Sequence, residues 1–111
     1  MKQLVSPGAL VALAAGAVLA TAPGAAAANP EAAFAKAGCV ACHARDRKQV
    51  GPSFKDIAAR YQGQADAVPR LVAKVRAGGK GVYGPIPMPP HPPEKIGDDE
   101  LRAVIEWMLR P

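Results

Sequence analysis

The chain has 111 residues, with 14 Lys and Arg against 9 Asp and Glu for a formal charge of +5, and half of its residues are hydrophobic. That length leaves room for one small domain and excludes a multidomain assembly. Basic side chains are interleaved with acidic ones, as in Arg45-Asp46-Arg47, and no basic cluster alternates with aromatics, so nucleic acid is not indicated as a partner.

Residues 1–28 read as a secretory signal. Lys2 gives a positive start, Ala9 to Ala22 a weakly apolar run, and Ala26-Ala27-Ala28 a small-residue cleavage site, which puts the mature start at Asn29. The run is rich in Ala and Gly, is preceded by Pro7, and falls short of the roughly 20 strongly apolar residues that a spanning helix needs. An uncleaved anchor is the weaker alternative, and no other stretch is apolar enough to span. Removing 28 of the 111 residues leaves a domain of 83, residues 29–111, with 13 basic and 9 acidic side chains. A chain of that size has too little apolar core of its own and calls for a staple.

The spacing predicts four helices and no strand. Asn29-Pro30-Glu31 is a helix start, with Asn as cap, Pro in the first turn and Glu at the positive end, and the helix runs to about Ala37. A charged loop follows to Gly51-Pro52. A second helix covers Ser53 to Tyr61, with Phe54, Ile57, Ala58 and Tyr61 on one face. A third runs from Asp66 as cap to Ala77, with Pro69 in its first turn and Leu71, Val72 and Val75 as its buried stripe. Gly78 to Pro93 holds four glycines and six prolines and can only be an extended, stiff loop. The last helix, capped by Asp98 or Gly97, carries Leu101, Val104, Ile105 and Met108 at i, i+3, i+4, i+7.

The chemistry sits between the first two helices, in Cys39-Val40-Ala41-Cys42-His43. Two thiols three positions apart with an adjacent imidazole can hold a haem covalently and supply one iron ligand, His43. A redox disulfide of the thioredoxin kind would sit beside a βαβ pattern, which is absent. Structural zinc wants four ligands, and only Cys39, Cys42, His43 and the distant His91 are on offer. Covalent haem would also be the missing staple.

The candidates for the second axial ligand are Met88, Met108, His91 and several lysines. Met108 lies on the apolar stripe of the last helix and reads as core. His91, beside prolines, reads as an exposed loop residue and a minor rival. Met88 sits in Pro85-Ile86-Pro87-Met88-Pro89-Pro90, where near-polyproline geometry would present one thioether at a fixed distance and keep it there. The Pro52 carbonyl could accept the other ring N–H of His43, fixing its orientation and raising its basicity, although Gly51-Pro52 also suffices as a turn.

Gly38-Cys39-Val40-Ala41-Cys42-His43, Val50-Gly51-Pro52, Gly84-Pro85-Ile86-Pro87-Met88-Pro89-Pro90 and the closing Asp98-Asp99-Glu100 helix together resemble the class I c-type cytochromes, and within them the small bacterial monohaem carriers of the cytochrome c-eight group. The resemblance implies an all-α class I fold of about four helices around one haem c. It implies thioether bonds at Cys39 and Cys42, axial ligation by His43 and Met88, and acceptance by the Pro52 carbonyl. It implies crossed first and last helices with Phe34 and Trp107 at their contact. Tyr83 and Lys74 stand where relatives have a Trp and a basic residue that bind a haem propionate, and His91 stands where relatives have an Asn near the methionine sulfur.

The expected function is that of a soluble periplasmic one-electron carrier and not an enzyme, a monomer that does not span the membrane once processed. It would dock transiently at the haem edge to redox protein partners, a respiratory donor and a terminal reductase or oxidase. The competing readings are a haem-based ligand sensor and a peroxidase-like protein, in both of which Met88 is displaced.

Overall fold

The computed structural model describes Gly8, residues 15–18 and residues 29–111; the expected export segment otherwise lies outside the described residues. Four helices follow in order: α1 (Pro30–Lys36), α2 (Phe54–Tyr61), α3 (Ala67–Ala77) and α4 (Asp98–Met108), with one turn of 3-10 helix at Cys39–Ala41. No strand occurs among the described residues, and no described helix is long and apolar enough to cross a membrane.

Local chemistry sets most of the boundaries. Asn29 is extended and its Oδ1 accepts the Ala32 N–H at 3.1 Å, while Ser53 Oγ accepts the Asp56 N–H at 3.1 Å, so both caps satisfy an orphan donor. Asp66 differs from its expected role. Its backbone (φ −95°, ψ 11°) is not extended as a capping residue needs, and its carboxylate lies 3.9 Å from Arg70 instead. Gly97 precedes α4 without a side-chain bond, and the acidic first turn Asp98, Asp99 and Glu100 suits the helix dipole in its place.

The core lies where α1, α2 and α4 converge. Leu101, Val104, Ile105 and Met108 are all buried, as their spacing predicts, and α4 packs on both α1 and α3. Three aromatic rings meet there edge to face: Phe34 and Phe54 with centroids 5.1 Å apart, Phe34 and Trp107 at 5.6 Å, and Phe54 and Trp107 at 5.3 Å. These separations suit the quadrupoles of aromatic pairs. The third ring, Phe54, comes from α2, so the α1–α4 contact is also what docks the second helix. On α3 the buried stripe is shifted: Ala67 and Leu71 are buried, whereas Val72 and Val75 are only half-buried.

The segment after α3 is a strap over a deep cleft, as its glycines and prolines require. Met88 exchanges two backbone hydrogen bonds with Gly79, whose N–H donates to the Met88 carbonyl at 3.0 Å while the Met88 N–H donates back at 2.9 Å. Gly78 has φ 68° and ψ −159°, a region essentially reserved for glycine, and a Cβ there would lie 2.5 Å from the Met88 carbonyl oxygen. The turn that brings the strap back over α3 therefore has no room for a side chain.

Phe54→Ala is expected to destabilise the protein by about 3–5 kcal/mol, because it removes the ring shared by both other aromatics, whereas Lys55→Ala on the exposed side stays within about 0.5 kcal/mol. Chemical denaturation of the two variants checks this. Gly78→Ala should lower the denaturation midpoint in the same assay by the equivalent of at least about 2 kcal/mol, opposite in sign to the small gain that a compatible Gly→Ala change gives in a loop.

Candidate metal and cofactor centre

The cleft beneath the strap has a volume of about 650 Å³, within the range of small-molecule and cofactor sites, and its lining is mostly apolar. Phe34, Leu71, Val104, Ile105 and Met108 contribute the apolar surface from the helices. Cys39, Cys42, His43, Pro52, Lys74, Tyr83, Met88 and His91, scattered over 53 positions of sequence, all line it. A second groove of about 530 Å³, between α2 and the C-terminus, holds none of them.

The pentapeptide forms one tight turn. The Cys39 carbonyl accepts N–H groups from both Cys42 (3.1 Å) and His43 (3.0 Å), and all three residues line the cleft. Both thiols are free and half-buried. Burial pushes the Cys39 thiol above its ordinary pKa, so it is a neutral thiol at pH 7, unlike the lowered thiolates of redox-active pairs.

His43 is held from behind. Its Nδ1 lies 2.8 Å from the Pro52 carbonyl, and because a carbonyl can only accept, Nδ1 carries a proton, which makes Nε2 the nitrogen with the lone pair in the neutral ring. A Cβ on Gly51 would lie 2.6 Å from the ring carbon Cε1, so the backbone here lies directly against the imidazole. The Gly51 N–H in turn donates to the Cys42 carbonyl at 2.8 Å, tying this support to the turn itself. A neutral imidazole with one fixed hydrogen bond and one exposed lone pair is the form that binds a metal.

Met88 is half-buried at the centre of the strap, its backbone locked to Gly79. Met108 is buried on α4, as its place on the apolar stripe predicts. His91 overturns its expectation of exposure. It is only 6% exposed, its N–H donates to the Val75 carbonyl at 3.0 Å, and its Nδ1–H donates to the Pro89 carbonyl at 2.8 Å. The reason is the prolines around it: with no N–H of their own, they leave carbonyls that an inward-turned imidazole satisfies.

Lys74 and Tyr83 reach the same cleft from different elements. Tyr83 is 37% exposed, with the Arg60 guanidinium carbon 5.5 Å from its ring centre. Partial burial pushes its phenol above the ordinary value, so it stays a neutral hydrogen-bond donor throughout the physiological range.

Sequence reasoning missed Arg76, in the last turn of α3. Its Nη1 donates to the carbonyls of His91 (2.9 Å) and Ile96 (2.8 Å), and its Nη2 to Asp98 Oδ1 (2.6 Å). The shortage of donors in the proline-rich segment signals that some outside donor must exist, but not which of Lys74, Arg76 and Lys80 provides it.

Two free thiols in one turn, an imidazole with its lone pair available, a thioether on a rigid strap and an apolar cleft are together the donor set that a covalent haem c needs. Comparison with known proteins agrees. Residues 27–110 match the family model for cytochrome c. The chain is 48% identical over 83 residues to cytochrome c-551 of Pseudomonas aeruginosa, covering 75% of this chain and 77% of that one, and 43% identical over 82 residues to cytochrome c-552 of Hydrogenobacter thermophilus, covering 74% and 80%. Its fold is similar to the crystal structure of Nitrosomonas europaea cytochrome c552, with a TM-score of 0.66 at 40% identity over 72% of this chain and 96% of that one. The chain belongs to the cytochrome c family: it is a small, all-α class I c-type cytochrome, an electron carrier built around one covalent haem c.

Proposed function

We propose that the protein is a periplasmic carrier in which Cys39 and Cys42 hold the haem by thioether bonds, and His43 and Met88 bind its iron from the two sides. The observation that carries this reading is the paired support of the two donors within one cleft: the Pro52 carbonyl behind His43 at 2.8 Å, and the Gly79 backbone behind Met88 at 2.9 and 3.0 Å. When bound, the haem supplies reversible one-electron chemistry at iron. The chain's residues supply the conditions for it.

His43, oriented by the Pro52 carbonyl, would be a strong nitrogen donor, and a methionine ligand beside it favours the reduced state and raises the potential. The apolar lining from Leu71, Ile105 and Met108 acts in the same direction, since low dielectric disfavours the more highly charged oxidised form. Donors fixed by backbone contacts move little between oxidation states. Lys74 and Tyr83 both line the cleft and would bind propionate oxygens, Lys74 by charge and Tyr83 by its neutral hydroxyl.

Docking is proposed at the rim of the cleft nearest the cysteines. Val40 (50%) and Ile86 (61%) are among the most exposed large hydrophobic residues; Ala41, Ile86 and Pro87 line the cleft, Val40 adjoins Ala41 in the chain, and these four would supply the apolar part of the docking rim. Lys36, Lys48 and Lys55 are exposed and would steer an acidic redox partner, a respiratory donor or a terminal reductase or oxidase. The signal at residues 1–28 would deliver the chain to the periplasm, where it acts as a monomer.

Met88→Ala tests the ligand set. It should abolish the near-infrared charge-transfer band from methionine to ferric iron, lower the reduction potential and open the iron to carbon monoxide and peroxide; unchanged spectra and potential would exclude Met88 as a ligand. Tight carbon monoxide binding by the unmodified reduced protein would favour the sensor reading. The double change Cys39→Ala with Cys42→Ala should eliminate covalent haem and leave the chain mostly unfolded by circular dichroism, because the apolar walls of the cleft then face water.

A further inference from the structure

We infer that Arg76 is a positioning residue for Met88: it latches the exit of the strap to the ends of α3 and α4, and so holds the thioether over the cleft. The inference rests on the proposed ligation by Met88. Between Pro85 and Pro93 six of nine residues lack an N–H, so this segment cannot hold itself together by backbone hydrogen bonds. Its entry is secured by the Gly79–Met88 pair. Its exit has two further ties, the His91 N–H to the Val75 carbonyl at 3.0 Å and the Arg76 guanidinium.

The second tie uses both terminal nitrogens of the guanidinium. One guanidinium nitrogen spans two carbonyls 5 positions apart in sequence, those of His91 and Ile96, and the other engages Asp98 in the first turn of α4. The guanidinium thus joins three elements: α3, the strap and α4. The Arg76 side chain is 19% exposed, so these charge-assisted bonds are partly shielded from water, whereas Asp98 is 84% exposed and contributes mainly by orienting the fork. Removing the fork would leave two carbonyls short of a donor, that of His91 between two prolines that have none to offer. A lysine at the same place carries three donors on one nitrogen, but its chain ends about one bond short of Nη1 and has no second nitrogen to orient it on Asp98, so it would keep the two carbonyl contacts only in part.

Loss of this latch is expected to loosen the strap without dissolving the helices. The cut is local, on a segment whose only regular backbone pairing is the Gly79–Met88 exchange, while the aromatic cluster of Phe34, Phe54 and Trp107 lies elsewhere. The thioether would then leave the iron more often while the fold persists.

The test uses the haem-loaded protein and its Arg76→Ala, Arg76→Lys and Arg102→Ala variants, the last removing the same charge from an exposed position on α4. Two transitions are followed in denaturant: loss of the near-infrared methionine band of the ferric form, and loss of the helical circular dichroism signal. Carbon monoxide binding to the reduced form is measured alongside. In Arg76→Ala the methionine band should disappear well before the helices, and carbon monoxide should bind about tenfold faster, the scale of losing two charge-assisted hydrogen bonds in part. Arg76→Lys should fall between this and the parent, and Arg102→Ala should match the parent. Should Arg76→Ala fail to fold, Arg76→Lys decides alone. The latch is overturned if band and helix are lost together as in the parent, if Arg76→Lys is indistinguishable from the parent, or if Arg102→Ala shows the same loosening. Absence of the methionine band from the parent protein would instead overturn the ligation reading on which the latch depends.

Discussion

A strap of prolines gains stiffness and loses the means to hold its own position, and the architecture around the cleft follows from that exchange. Each proline from Pro85 to Pro93 removes an N–H while leaving a carbonyl that still needs a donor. The donors come from outside the segment or from the few non-proline residues within it: the Gly79 N–H for Met88, the His91 imidazole for Pro89, and the Arg76 guanidinium for His91. A self-sufficient hairpin would have needed none of these. In return the strap has little freedom to vary the distance between its thioether and the cleft floor.

The opposite side of the site uses a different device. His43 is fixed by its own chain neighbours, through a turn in which the Cys39 carbonyl accepts twice and through the Gly51-Pro52 backbone lying against the ring. Both donors are held by a backbone partner nine positions away, but the strap that carries Met88 depends in addition on longer ties, from Arg76 to His91 and from His91 to Val75. With both binding iron as proposed, a small carrier would benefit from rigidity in each, since movement of ligands on oxidation adds to the barrier for electron transfer.

Much of this was legible in the sequence, and the parts that were not share a cause. The four helices follow from caps and periodicity, and the α4 stripe of Leu101, Val104, Ile105 and Met108 is buried throughout. The residues lining the cleft were identifiable because Cys39, Cys42 and His43 are a local pattern, and the strap a compositional one. What escaped was long-range. His91 was expected in solvent because a histidine among prolines gives no local sign of an inward carbonyl to satisfy. Arg76 was unremarked because its three partners are 15 to 22 positions away. Asp66 does not cap α3 because its backbone, at φ −95° and ψ 11°, is not extended. Phe54, placed correctly on the inner face of α2, gave no hint that it would complete a ring cluster between two other helices.

That cluster has a kinetic meaning. Phe34 and Trp107 are 73 positions apart and touch at 5.6 Å, so their contact closes a loop holding nearly everything else the chain builds. The entropy of closing it is about 4 kcal/mol, a cost that short-range turns do not bear. Assembly of the two terminal helices is thus the demanding step in folding, and the chain's single indole sits on that seam. Its fluorescence is a built-in reporter of the moment when the ends of the domain come together.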